Sequence, residues 1–134
     1  MKLLIYGSNG WIGEQFIKMI KRNFMENTTI FEGKSRCNNK NDVLQEIKSI
    51  NPTHIISFIG RTHGKINNKN YGTIDYLEQK GKLTENIRDN LYSPLVLALV
   101  CKEYNIHYTY LGTGCMFSYD ESHPFCKEIN GFKE

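Results

Sequence analysis

Residues 2–13 read Lys-Leu-Leu-Ile-Tyr-Gly-Ser-Asn-Gly-Trp-Ile-Gly, an apolar run that stops at a glycine turn and passes straight into a helical pattern. Lys2–Tyr6 has the continuous apolar character of a strand buried on both faces. Gly7, Gly10 and Gly13 then recur as G-x-x-G-x-x-G, and Trp11, Ile12, Phe16, Ile17 and Ile20 mark an amphipathic helix reaching Arg22. A turn this tight needs residues without a Cβ, and the helix behind it must pack close to the strand. The bare backbone at the tip can approach a pyrophosphate, and the helix N-terminus offers it unpaired N–H groups and a partial positive charge. Gly7, Ser8, Asn9, Gly10, Trp11, Ile12 and Gly13 are therefore a candidate dinucleotide-phosphate site. An ordinary strand-to-helix turn of a flavodoxin-like domain is the plainer alternative.

The rest of the chain keeps alternating. Thr28–Phe31 reads as a second strand, and Asp42 as the N-cap of a helix whose inner face is Val43, Leu44, Ile47 and Ile50. Asn51-Pro52 ends that helix, and Thr53–Ile59 is a third strand. The polar stretch Arg61–Lys82 reads as a long loop. Thr84 and Glu85 open a helix running to Tyr104, which Pro94 should kink or segment. Ile106–Leu111 is a fourth strand, followed by a turn-rich tail, Gly112–Glu134. The order βαβαβαβ implies α/β architecture: a parallel sheet with helices on both faces. We expect one domain over residues 1–134, a Rossmann-like sheet of four parallel strands in the order 3-2-1-4.

Composition narrows the partners. At 134 residues, with 40% apolar and 23% charged residues, the chain suits a single globular domain. Seventeen basic and 14 acidic residues leave a net charge of +3 with no Lys/Arg stripe, which argues against nucleic acid. The apolar runs are too short for a membrane span or a signal peptide. Cys37, Cys101, Cys115 and Cys126 show no C-x-x-C spacing, so neither a metal site nor a disulfide framework is expected. A cytoplasmic protein with reduced thiols fits these features. His54 and His107 fall near strand starts, away from the ligand rim, and read as structural.

The end of the second strand bears on the cofactor. An acidic residue there pairs with the ribose 2′-OH of NAD, whereas Arg accommodates the 2′-phosphate of NADP. The loop reads Glu32-Gly33-Lys34-Ser35-Arg36. Ser35 and Arg36, with Lys34 near, favour NADP(H); Glu32 keeps NAD(H) open. Arg36 as a plain solvated cation is the alternative.

Gly-x-x-Gly-Trp-Ile-Gly, Pro52-Thr-His-Ile-Ile, Asn86-Ile-Arg-Asp-Asn90, Thr113-Gly-Cys-Met-Phe117 and Asn130-Gly-Phe-Lys-Glu134 occur in an order that resembles the extended short-chain dehydrogenase/reductases. Within them the chain is similar to the nucleotide-sugar 4-ketoreductases. These include dTDP-4-dehydrorhamnose reductases and the 3,5-epimerase/4-reductases that make UDP-rhamnose in plants and giant viruses. The likeness runs through all 134 residues and corresponds to the N-terminal half of such an enzyme, a fold truncated relative to the full one. It implies reduction of a 4-keto sugar by NADPH with a Thr/Ser, a Tyr and a Lys.

By that resemblance Thr113 is the residue that hydrogen-bonds the sugar carbonyl. Gly60, Arg61 and Thr62 line the nicotinamide-ribose side, and Asn90 is the family's helix Asn, for which a hydrogen bond at the Pro94 kink is an equal reading. Cys115 is a speculative proton carrier, or an inert buried thiol. The family's Tyr-x-x-x-Lys does not follow Thr113 within the chain. The match Tyr76 to Lys80 precedes Asn90, the wrong order, and is a decoy. The expected function is an NADP(H)-binding domain of the reductase type, inactive alone. The alternative is a non-catalytic dinucleotide-binding or interaction module that pairs with a full-length reductase. Tyr108 and Tyr110 on the last strand and Leu91, Leu95 and Leu99 on the long helix lack a cover in this reading, so a homodimer is expected.

Overall fold

Alternation of short apolar strands with amphipathic helices builds the framework as expected, but its strands are ordered differently. The structure, a computed structural model, describes residues 1–112 together with Glu121 and His123. Four strands, β1 (Lys2–Tyr6), β2 (Thr29–Glu32), β3 (His54–Ser57) and β6 (His107–Tyr110), form one parallel sheet. α1 (Trp11–Asn23) follows β1, and α2 (Lys40–Ile50) follows β2. Between β3 and β6 come a hairpin of β4 (Gly64–Ile66) and β5 (Lys69–Tyr71), then α3 (Leu83–Asn86), a π-helical stretch Ile87–Tyr92, and α4 (Ser93–Glu103).

In order of appearance the sheet runs 2-1-3-4, not 3-2-1-4: β3 pairs with β1, with Leu4 opposite Ile55, and β6 pairs with β3. The cause is which face each helix covers. Ile17 of α1 packs on Leu3 and Ile5, on one face of β1. Val43 and Ile47 of α2 join Leu4 and Tyr6, on the opposite face. Right-handed crossovers over opposite faces move the chain in opposite directions. The step through α1 therefore leads out to β2, and the step through α2 leads back across β1 to β3. α4 lies on the same face as α2, through Val96, Leu97 and Val100, so β6 continues beyond β3. β2 is left at an edge, as its exposed ends Thr29 and Glu32 allow.

Local chemistry sets the element ends. Asn39, not Asp42, caps α2: its Oδ1 accepts the Asn41 and Asp42 N–H groups at 3.1 and 3.5 Å, while Asp42 sits in the first turn. Asn51, at φ 52°, closes α2 in the left-handed region before Pro52. The segment expected as a loop contains the β4–β5 hairpin, turned at Asn67 with φ 52°. Pro94 does segment the long helix. It stands in the first turn of α4, where its missing N–H is not needed. Just before it the wider π turn lets both Ser93 N–H and Ser93 Oγ reach the Arg88 carbonyl, the latter at 2.8 Å.

The core on the α2 face includes two buried free thiols, Cys37 and Cys101. Burial pushes Cys101 up to about 11, and burial with the nearby Glu46 pushes Cys37 up to about 12, so both stay protonated at neutral pH. Among the described residues no helix is long and apolar enough to cross a membrane.

Candidate functional site

The three glycines of the first turn do different work. Gly7 has φ +78°, and a Cβ there would lie 2.8 Å from the Phe58 carbonyl carbon, so only glycine lets the turn pass β3. A Cβ on Gly13 would collide with the Gly7 carbonyl oxygen, so this glycine seats α1 against its own turn. Gly10 is exposed, and its Cβ would meet only Gly7 O at 3.3 Å. Sterically it is the least constrained of the three; what the missing side chain leaves bare is backbone facing the cleft. Gly10 is also the N-cap of α1 and supplies no side-chain cap, so the first N–H groups of the helix remain open to an anion. Ser8 is buried inside the turn, while Asn9 faces the cleft.

Because β1 and β3 are neighbours whose following helices go to opposite faces, a crevice opens between their carboxyl ends. It consists of two adjoining clefts of about 480 and 520 Å3 that share Gly10 and residues 58–63. The first is bounded by Gly7, Asn9, Ser35, Arg36 and Cys37. The second is bounded by Trp11, Ile12, Gly13, Asn90 and Tyr110–Gly112. The residues expected to bind the cofactor all line one or the other, apart from the buried Ser8. Thr113 and Cys115 lie outside the described residues; the segment leading to them borders the second cleft.

Glu32 does not border the first cleft, whereas Ser35 and Arg36 do. The Arg36 side chain makes no hydrogen bond or ion pair with the described residues and is exposed. The loop that carries it is held from behind by Glu46 of α2, which belongs to no sequence motif. Its carboxylate accepts the Lys34 and Ser35 N–H groups and the Tyr6 hydroxyl. Burial alone would raise the Glu46 pKa, but hydrogen bonds from Lys34, Tyr6 and Ser35 outweigh it and hold the group below the usual carboxylate range.

After β3, the loop Gly60-Arg61-Thr62 is fastened to the π-helical stretch. Asn90 Oδ1 accepts the Arg61 N–H at 2.6 Å, and Asn90 Nδ2 donates to the Arg61 carbonyl at 2.9 Å. Asn90 Nδ2 also donates to Asn86 Oδ1 at 2.9 Å, one turn back, so the amide is engaged both within its own helix and with the loop across the cleft. Arg61 Nε also donates to Asp89 at 2.6 Å, and Arg88 Nε donates to the other Asp89 oxygen at 2.6 Å. Arg88, and then Arg61 against the opposing effect of burial, hold Asp89 below the usual range.

Tyr76 is buried beneath Gly64, with its hydroxyl donating to Glu85 at 2.7 Å. The cation beside it is Lys82, 4.9 Å from the ring centre, and Lys80 is exposed. Neither Tyr76 nor Lys80 borders a cleft. His54 and His107 face each other across β3 and β6, ring centres 5.1 Å apart, at the amino end of the sheet opposite the crevice.

No family model matches the chain. It is 47% identical over 134 residues to protein L780 of Acanthamoeba polyphaga mimivirus, covering all of this chain and 43% of that protein. The crystal structure of the L780 UDP-rhamnose synthase superposes with a TM-score of 0.83 at 46% identity, over 98% of this chain and 43% of that one. A trifunctional UDP-glucose 4,6-dehydratase/UDP-4-keto-6-deoxy-D-glucose 3,5-epimerase/UDP-4-keto-L-rhamnose-reductase of Arabidopsis thaliana is 37% identical over 134 residues, or 18% of its length. At 19% identity, the dTDP-4-dehydrorhamnose reductase of Bacillus anthracis, solved in complex with NADP, shares the fold with a TM-score of 0.61 over 80% of this chain and 34% of that one. The chain spans less than half the length of the relatives it matches. Over that span it is similar to enzymes that make UDP-rhamnose or reduce a 4-keto-rhamnose nucleotide.

Proposed function

We propose that this chain is the NADP(H)-binding unit of a nucleotide-sugar 4-ketoreductase. The observation that carries the reading is the crevice itself. It runs from the bare Gly10 backbone at an uncapped helix N-terminus to Arg36, whose guanidinium makes no ion pair among the described residues. A pyrophosphate suits the first and a 2′-phosphate suits the second. Gly60, Arg61 and Thr62, pinned by Asn90, would flank the nicotinamide ribose, and Thr113 would orient the sugar carbonyl. When bound, NADPH supplies the hydride; the protein supplies the binding and the orientation. Fluorescence titration tests the reading, with NADPH expected to bind more tightly than NADH. Absence of binding by both would overturn it. We place the protein in the cytoplasm, since the buried thiols Cys37 and Cys101 are unpaired with each other.

These 134 residues should not turn over a 4-keto-6-deoxy sugar nucleotide alone. The oxygen that receives hydride charge must be protonated, and such general-acid help is worth ~10²–10⁴ in rate. Tyr76, bonded to Glu85 away from the crevice, is not that acid. Steady NADPH oxidation abolished by Tyr76→Phe would overturn this.

A second reading, an interaction module, draws on the helix surface. Leu91, Leu95 and Leu99 are 62%, 48% and 55% exposed along one ridge, and among the described residues β6 is an edge strand. Apolar ridges of this kind favour association, and we propose a homodimer through this helix or this edge.

A further inference from the structure

Glu46 stands where β1, α2 and the Gly33–Arg36 loop meet. Its Oε1 accepts the Lys34 N–H at 2.7 Å. Its Oε2 accepts the Tyr6 hydroxyl at 2.9 Å and the Ser35 N–H at 3.2 Å. Tyr6 is a rigid anchor: it is 1% exposed, and its ring lies so close under Gly33 that a Cβ there would come within 2.5 Å of it. Ser35 Oγ donates to the Asp42 carbonyl at 3.2 Å, a second tie between the loop and α2. The two backbone N–H groups and the hydroxyl proton of this loop are therefore committed to the protein. What the loop still offers the crevice is the Arg36 side chain.

We propose that Glu46 is a specificity-determining positioning residue, which holds the Lys34–Ser35 backbone so that Arg36 meets a phosphate ester on the adenosine ribose. This rests on the NADP(H) reading above and adds to it the residue that sets the preference over NADH. Two effects oppose each other. A carboxylate behind a phosphate pocket repels the phosphate, whereas a fixed loop aims the guanidinium that attracts it. The Glu46 charge is already met by three donors, which weakens the repulsion. Recognition of phosphate by arginine is bidentate and sensitive to geometry, so placement outweighs charge.

The sign of one substitution separates the two effects. Glu46→Gln preserves size and an acceptor for Tyr6, but removes the charge and sets an N–H2 group against a loop N–H. If Glu46 acts by placement, NADPH affinity falls about tenfold with NADH affinity unchanged, the loss expected from weakening a charge-assisted contact. Tyr6→Phe, which frees the carboxylate from its anchor, shifts the NADPH:NADH ratio the same way by a smaller factor. Amide hydrogen exchange supplies a readout without cofactor: Lys34 and Ser35 should exchange faster in Glu46→Gln, while β1 stays protected and reports an intact fold. Tighter or unchanged NADPH binding by Glu46→Gln overturns the proposal, as do Lys34 and Ser35 amides that exchange alike in both proteins. Failure of the wild type to bind either cofactor overturns the cofactor reading itself, and the specificity role with it.

Discussion

The side-chain amide of Asn90 satisfies both backbone polar groups of Arg61, accepting from its N–H at 2.6 Å and donating to its carbonyl at 2.9 Å. One side chain thus fixes the loop after β3 to the helix that ends in α4, across the second cleft. Asn90→Ala leaves both groups of Arg61 without their partner, at a cost of about 1–3 kcal/mol. NADPH and NADH should weaken together, because in the proposed binding mode the loop flanks the part the two cofactors share. Thermal melting alongside titration of both cofactors checks this; unchanged binding would show that the loop does not contact them.

The glycines of the first turn should separate folding from binding. Gly7→Ala forces a side chain into the left-handed region and against Phe58, and should destabilise the fold by about 1–3 kcal/mol or more. At the exposed Gly10 an added Cβ meets only Gly7 O, so in Gly10→Val the fold should lose about 1 kcal/mol, largely from a poorer N-cap. Binding of both cofactors should nevertheless fail, since the isopropyl group would stand where the proposed binding mode puts the pyrophosphate. Denaturation midpoints and titrations of the two variants read the difference.

Arg36→Ala should remove most of the preference for NADPH, with a roughly tenfold to hundredfold loss of affinity, and leave NADH nearly unchanged. A variant that still prefers NADPH would put the 2′-phosphate reader elsewhere in the loop.

Acid should loosen the Arg61–Asp89–Arg88 cluster. The Asp89 carboxyl is held below its ordinary value by Arg88 and Arg61, so its ionised form stabilises the fold. That contribution is complete above the unfolded-state value of about 3.9 and is lost as pH falls through the lower folded-state value. Asp89→Asn should therefore melt earlier than wild type at neutral pH, and the gap should narrow as pH drops below about 4. Melting temperatures of both proteins across that range test the sign.

Self-association should show in sedimentation equilibrium. Leu95 is exposed on the leucine ridge, so Leu95→Glu should leave the melting temperature unchanged and shift the equilibrium toward monomer. A wild-type monomer at tens of micromolar that does not bind an apolar-patch dye would overturn the proposed dimer.

Much of this molecule can be read along the chain. The G-x-x-G-x-x-G turn, the alternation of strands and helices, the break at Pro94 and the cleft-facing Ser35 and Arg36 all follow from local rules, which act over a few neighbouring residues. The strand order does not, because it depends on which sheet face each helix covers. Val43 and Ile47 mark an apolar stripe but say nothing about whether it meets Leu4 or Leu3. Only packing decides that, and handedness then carries β3 back across β1. The same holds for pairs distant in sequence: Glu46 with Tyr6, Asn90 with Arg61, Glu85 with Tyr76. Glu46, Asn90 and Glu85 are polar residues on helical segments until the fold brings their partners alongside, and the hydrogen bond that gives each a role exists only in the folded chain.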